Sequence, residues 1–332
     1  MRVPFSKMYD EFLRVLLKVG FAKERAELCA KIYAESSLDG VYSHGLNRFP
    51  EFIRHIKKGY VDIHAEPEKV ESLGSLERWD GNLGPGVLNA HFSMERAIQI
   101  ARENGVGCVA LRNTNHWMRG GTYGWQAADA NCIALCFTNT EPNLPPWGGI
   151  DCRTGNNPFV IAVPRANGHI VLDMAMSQFS YGKMEACVRN KEMLPVYGGF
   201  DSEGNLTHSP NEIIKSRRPL PIGYWKGSGL SIMLDLLTTL LSQGRSTYMI
   251  GKPEEEYGVS QVFICFDIMH LNESSLVDRV KEEIIDFIHG TTPSGENERV
   301  HYPGERTVLT RKLNREKGIP VEQPIWQEVL EM

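Results

Sequence analysis

Residues 87–111 constrain the fold more than any other stretch. Ala90, Met94, Ala97, Ile98 and Ala101 recur at helical spacing across residues 87–104. Gly105 supplies a C-terminal stop, and residues 106–111 (Val-Gly-Cys-Val-Ala-Leu) follow as an apolar run of strand length. This junction also holds the chain's one match to the loosest dinucleotide-binding pattern, Gly105-Val106-Gly107-Cys108-Val109-Ala110. That fingerprint works only when a strand precedes the glycines and a helix follows, because the helix N-terminus then meets the pyrophosphate. Here the order is reversed, so the mechanism cannot operate. No G-x-x-x-x-G-K-[ST] loop is present either. A nucleotide, if bound, is bound by other means.

On either side of this junction the pattern changes. The first sixty residues read as local helices. Ser6 is the expected cap of the first, with Tyr9, Phe12, Leu13, Leu16 and Leu17 on its stripe, and a second covers 22–38. Phe52, Ile53 and Ile56 mark a third, ending at Gly59. After 111 the pattern predicts a helix at 122–131 and strands at 133–138, 159–163 and 169–174. The last two are joined by Asn167-Gly168, a hairpin signal. A long helix over 230–243, a strand at 262–267, a helix at 276–288 and a polar loop from Gly295 to Arg306 complete the reading. Residues 140–157, dense in proline and glycine, form a loop too long to be a simple connection.

The 332 residues suffice for two or three cooperating domains. A net charge of −5 without a basic block argues against nucleic acid or an anionic membrane as partner. The most apolar run, near 230–241, is too short to span a bilayer. No signal peptide is evident after Met1, and the seven scattered cysteines form no C-x-x-C pair, so a reducing cytoplasmic setting without disulfides is expected. Neither H-E-x-x-H nor G-x-S-x-G occurs, and no metal site is expected.

Chemistry concentrates in Ser43-His44-Gly45-Leu46-Asn47-Arg48. If the segment is helical, His44 and Arg48 share one face a turn apart. Imidazole exchanges protons near neutral pH and guanidinium holds a carboxylate with two parallel hydrogen bonds. The pair would suit a small acid with a carbonyl beside its carboxylate; a surface histidine next to a helix-stabilising arginine is the alternative. His116 lies in a polar, glycine-rich stretch, residues 113–121, beyond a strand end where ligand loops sit. Gly227-Ser228-Gly229 opens the long helix, either as a phosphate site or as a tight helix entry.

Taken together, Ser43-His44-Gly45 with Arg48, Asn115-His116, Pro146-Trp147-Gly148-Gly149, Asn157-Pro158, Asp173-Met174-Ala175 and Lys226-Gly227-Ser228-Gly229-Leu230 resemble, in order and spacing along nearly the whole chain, the type-2 malate/L-lactate dehydrogenase family. That family is distinct from the Rossmann-fold lactate and malate dehydrogenases. The resemblance implies a mixed α/β, non-Rossmann fold, with a helical bundle domain (1–70 with 300–332) and an α/β two-layer sandwich with a mixed sheet (71–299) carrying NAD binding and dimer contacts. It implies a homodimeric oxidoreductase acting on a small 2-keto or 2-hydroxy acid, with His44 and His116 catalytic and Ser43 and Arg48 binding substrate. The cofactor would lie along Gly168, His169, Ile170, Val171, Leu172, Asp173 and Met174, near Tyr224, Trp225, Gly304, Glu305 and Arg306. Within the family the likeness is to members that reduce a 2-keto sugar acid with NADH, with NADPH as the alternative cofactor. Other 2-keto or 2-hydroxy acids (malate, lactate or ureidoglycolate type), a cofactor-free hydrolase or lyase of small carboxylates, and a binding protein without turnover are the competing readings. Two departures bear on the pocket: Trp117-Met118-Arg119 stands where phenylalanine-glycine is common, and Met176 where threonine is common.

Overall fold

The computed structural model describes residues 1–271, 274–295 and 298–332, with backbone alone for 271 and 274–277. The chain opens with β1 (Arg2–Val3), α1 (Phe5–Lys18), α2 (Lys23–Leu38) and α3 (Phe49–Lys57). Helix α1 starts earlier than expected, with Pro4 (φ −59°) as its cap residue and Ser6 inside its first turn. Proline has no N–H to leave unpaired and its ring presets a helical φ, so the helix begins directly behind it. The histidine segment is not one continuous α-helix. It forms two 3₁₀ turns, Tyr42–His44 and Leu46–Arg48, broken at Gly45. A Cβ on Gly45 would stand 2.1 Å from Ser37 Oγ, so the break lets the chain press against α2.

Next come β2 (Glu68–Leu73), β3 (Leu76–Asp80), α4 (Gly86–Asn104), β4 (Val106–Thr114), α5 (Gly121–Asp129), β5 (Cys132–Thr138), β6 (Phe159–Val163) and β7 (Ile170–Met174). Then follow α6 (Tyr181–Asn190), the short hairpin β8 (Gly199–Phe200) and β9 (Leu206–Thr207), α7 (Pro210–Ser216), α8 (Trp225–Ser242) and α9 (Thr247–Ile250). The chain ends with β10 (Val259–Asp267), α10 (Ile268–Leu271), α11 (Ser274–His289), α12 (Glu305–Lys317), β11 (Ile319–Pro320) and α13 (Gln323–Glu331). Two boundaries correct the sequence reading. Helix α8 starts five residues before 230, taking in the glycines as its first turn, and Glu305 and Arg306 belong to the first turn of α12 rather than to a loop.

Seven strands form one sheet in the order β2-β3-β4-β10-β5-β6-β7. Among the described residues only β3–β4 is parallel; every other pair in this sheet is antiparallel. This is the mixed, non-Rossmann sheet that was expected. The late strand β10 inserts between β4 and β5 and is buried along almost its whole length. Helices α4 and α5 cover one face, where Met94, Ala97, Trp117, Tyr123 and Phe263 meet, and α8 packs its inner side on the other through Leu234. Gly107 is explained by this packing. A Cβ there would lie 2.2 Å from the Ala97 carbonyl oxygen, so the glycine lets α4 lie directly on β4.

The two chain ends close on each other. β1 pairs antiparallel with β11, and Trp326 and Val329 of α13 join Phe12, Tyr33 and Phe49 in one core. Asn314 of α12 donates to the Leu38 carbonyl at the end of α2, 2.9 Å away. That end of α2 carries the histidine turn, so the C-terminal segment braces the site from behind.

Candidate active site

Two structural junctions build the site. The first is the turn after α2, which carries Ser43, His44 and Arg48; the second is the loop leaving β4, which carries His116. Asn115 pins that loop. Its buried amide donates to the carbonyls of Tyr60, Leu83 and Gly84 at 2.8–3.1 Å, and its own carbonyl accepts from Gln261 at 3.0 Å. The rings of His44 and His116 consequently stack, centroids 5.7 Å apart and planes 26° from parallel. Sequence spacing could not have paired residues 72 positions apart.

The departure at Trp117-Met118-Arg119 now has a structural meaning. Trp117 fills the core against Tyr123 and Phe263, and its carbonyl accepts the Tyr123 hydroxyl. Met118 adopts a left-handed backbone (φ +62°), which aims its N–H at His116 Nδ1, 2.9 Å away. Arg119 is buried and ion-paired with Asp39 at the end of α2; Asp39 is also gripped by Arg311 of α12 at 2.5 and 2.7 Å. That chain of charges fixes both histidine-bearing segments to one another.

The protonation states follow from these surroundings. With Nδ1 accepting the Met118 N–H, neutral His116 carries its proton on Nε2 and is a hydrogen-bond donor there. Burial, reinforced by Arg48, His44 and His55, holds His116 well below the usual imidazole range. Desolvation of His44, with Arg48 and Arg119 nearby, pushes it down to about 4. Its Nδ1 lies 2.9 Å from Ser43 Oγ.

His116 and Arg48 face a cleft of about 570 Å³, mouth included, with Phe52, Val61 and Met118 as apolar lining. Glu51, His55, Asn115, Glu141 and Glu256 supply the rest of the wall. Arg48 makes an ion pair with Glu51 at 3.2 Å. Both partners are partly exposed, so the pair is weakly held and the guanidinium is open to exchange with another carboxylate. Glu141 and Glu256 were not singled out in the sequence. Glu141 stands near the start of the proline- and glycine-dense loop at 140–157; nothing in the run Glu254-Glu255-Glu256 marks its last member.

The expected cofactor residues fall in two groups. Gly168 to Met174 and Gly304 to Arg306 touch: Val171 N–H donates to the Pro303 carbonyl at 2.8 Å, and a Cβ on Gly304 (φ +95°) would meet the His169 carbonyl at 3.0 Å. Several of these side chains already have protein partners. The His169 ring sits between the Arg165 N–H and Asp129, and Asp173 accepts the Gly121 N–H at the start of α5. Val171 is core, while Ile170, Leu172 and Met174 are partly exposed on the opposite face of β7. Glu305 turns inward to His289, Arg299 and His301. Arg306 is exposed, with no ion pair among the described residues, in the first turn of a helix without a side-chain cap. Tyr224 and Trp225 form the second group. They follow the segment whose Ile222 N–H bonds the Met176 carbonyl just beyond β7. Tyr224 has φ +61° and ψ −115°, a conformation that costs energy for a non-glycine residue. Its exposed ring meets Trp147 of the long loop at 5.2 Å, and the Trp147 N–H is held by Ser228.

Comparisons with known proteins agree with this architecture. The chain is 45% identical, over 99% of both proteins, to a 2,3-diketo-L-gulonate reductase of Citrobacter koseri, and 46% identical, again over 99% of both, to one of Klebsiella pneumoniae. Among solved structures, malate dehydrogenase of Pyrococcus horikoshii superimposes with a TM-score of 0.90 at 30% identity, covering 100% of this chain and 94% of that one. The sequence pattern of the malate/L-lactate dehydrogenases matches residues 3–330, and the chain belongs to that family of oxidoreductases.

Proposed function

We propose that this protein reduces 2,3-diketo-L-gulonate to 3-keto-L-gulonate with NADH, as a cytoplasmic homodimer. The observation that carries the reading is the stacked His44–His116 pair beside a cleft whose wall holds Arg48. The names of the relatives near 45% identity support the substrate.

The residues present suit a nicotinamide dinucleotide. The uncapped first turn of α12 and exposed Arg306 offer N–H groups and a cation to a pyrophosphate, and the exposed Tyr224 and Trp225 rings offer stacking surfaces. The role we assign to Asp173 and Glu305 is to hold their segments in place, since both carboxylates already bond protein groups. NADH held by these residues would supply the hydride for the keto carbon. Arg48 exchanges Glu51 for the substrate carboxylate, which orients the adjacent carbonyl. His116 donates its Nε2–H to that carbonyl and polarises it. As negative charge develops on the oxygen, His44 delivers a proton, so C–H and O–H bonds form and the hydroxy acid leaves. Ser43 keeps the His44 ring in register through Nδ1.

The homodimer reading rests on α8. Ile232, Met233, Leu236, Leu237 and Leu240 recur along one outer side of this helix, with Leu240 69% exposed. A helix apolar on both sides is normally covered on both. We assign residues 1–70 with 300–332 to a helical domain that carries the histidine turn, and 71–299 to an α/β domain that binds the cofactor together with the first turn of α12. No helix among the described residues is long and apolar enough to cross a membrane.

The test is NADH oxidation at 340 nm with 2,3-diketo-L-gulonate, pyruvate and oxaloacetate, with NADPH in parallel. Turnover of the sugar acid well above the others is expected. Turnover of simple keto acids alone would keep the reductase and discard the substrate. No turnover and no quenching of tryptophan fluorescence by NADH would leave the hydrolase or binding-protein reading.

A further inference from the structure

The cleft has an unusual balance of charge for a site that binds an acid. Among the described residues its one guanidinium, Arg48, is accompanied by three glutamates: Glu51, Glu141 and Glu256. Glu51 is paired with Arg48, and the neighbouring Glu255 is paired with His55 and Lys58. Glu256 has no such relief. Its Oε2 accepts the Glu141 N–H at 2.9 Å, and Oε1 has no hydrogen-bond partner among the described residues. Burial therefore raises this carboxyl to about 7, with the Glu141 N–H and Arg48 only partly opposing it. With Glu256 half-buried on the cleft wall, Oε1 is an acceptor open to the cleft, and a ligand hydroxyl can take the place of water on it.

Resting on the reductase reading above, we propose that Glu256, backed by Glu141, sets substrate specificity by accepting a hydroxyl hydrogen from the polyol end of a sugar acid and repelling any second carboxylate. The substrate's own carboxylate is answered by Arg48. A dicarboxylic keto acid would set its second charge against Glu141 and Glu256 and be repelled by them. A polyhydroxylated monocarboxylate brings one charge and several donors, which is what this wall can accept.

Glu256→Gln tests the idea with little change of shape. The amide carbonyl can keep the Glu141 N–H bond, which turns the NH₂ group toward the cleft and exchanges an acceptor for a donor. Steady-state kcat/KM would be measured with NADH at pH 8 for 2,3-diketo-L-gulonate, pyruvate and oxaloacetate, in wild type and variant. The ratio of sugar acid to oxaloacetate should fall by about 10–100-fold, the range set by a hydrogen bond to a charged group. The loss should appear in KM for the sugar acid, together with a gain for oxaloacetate. Glu141→Gln, should the first variant misfold, is expected to shift the ratio in the same direction. A ratio within twofold of wild type in a folded, active variant overturns the proposal alone. A wild type inert toward all three acids overturns the reductase reading and this proposal with it.

Discussion

The protonation of His44 makes a demanding test of the mechanism. At an imidazole pKa of about 6.5, about one ring in four is protonated at pH 7. With His44 pushed down to about 4 by desolvation, Arg48 and Arg119, about one in a thousand is. A proton donor so rarely charged in the free enzyme makes reduction acid-dependent. kcat/KM reports the free enzyme, so it should rise about tenfold for each unit the pH falls from 8 to 5.5. kcat reports the bound enzyme, in which the substrate carboxylate offsets the Arg48 charge, so its pH dependence should be displaced to higher pH. The assay is steady-state NADH oxidation in constant-ionic-strength buffer, corrected for acid decay of NADH. His44→Asn should lower kcat by ~10²–10⁴ and abolish the slope. Glu256 titrates near 7 in the same cleft, so Glu256→Gln serves as the control that separates its contribution. A wild-type kcat/KM that is flat from pH 5.5 to 8 would refute His44 as the donor.

Four further outcomes follow from the packing and charge described above. His44 binds its proton more weakly folded than unfolded, so its contribution to stability falls as pH drops from 6.5 toward 4; urea midpoints should show a smaller acid loss in His44→Asn. Glu77, held down to about 2 by hydrogen bonds from Arg96, Lys69 and Trp79 despite its burial, contributes stability above pH 4.5 that is lost as pH falls toward 2. Arg96→Ala should cost about 1–3 kcal/mol at pH 7 by chemical denaturation. Gly107→Ala forces a methyl against the Ala97 carbonyl and should cost about 1–3 kcal/mol or more, read as a lower Tm, with NADH affinity intact in the folded fraction. Leu236→Glu with Leu240→Glu should convert a dimer to monomer in sedimentation velocity; an unchanged sedimentation coefficient would remove α8 from the interface.

Much of the local structure was legible because it depends on neighbours in sequence. The stripe from Ala90 to Ala101, the glycine stop at 105 and the Asn167-Gly168 hairpin specify their conformations through backbone sterics and spacing alone. The same logic excludes the glycine fingerprint, because helix and strand stand in the wrong order. His44, Arg48 and His116 could be singled out by chemistry and by family likeness. What failed locally failed where the rest of the fold overrules propensity. The histidine segment breaks at Gly45 to fit against Ser37, and α12 begins early enough to bury Glu305 against three basic residues.

The composition of the cleft was decided only in three dimensions. Its wall draws Arg48 from the turn after α2, His116 from the end of β4, Glu141 from the end of β5 and Glu256 from the loop before β10. These residues meet because β10, late in the chain, enters the sheet between β4 and β5 and brings its leading loop to their ends. A carboxylate's meaning depends on its surroundings: Glu255 and Glu256 are identical in sequence terms, yet one is paired with Lys58 and the other faces the cleft. Desolvation and charge pairing act through distances in space, and the order of residues along the chain does not contain those distances.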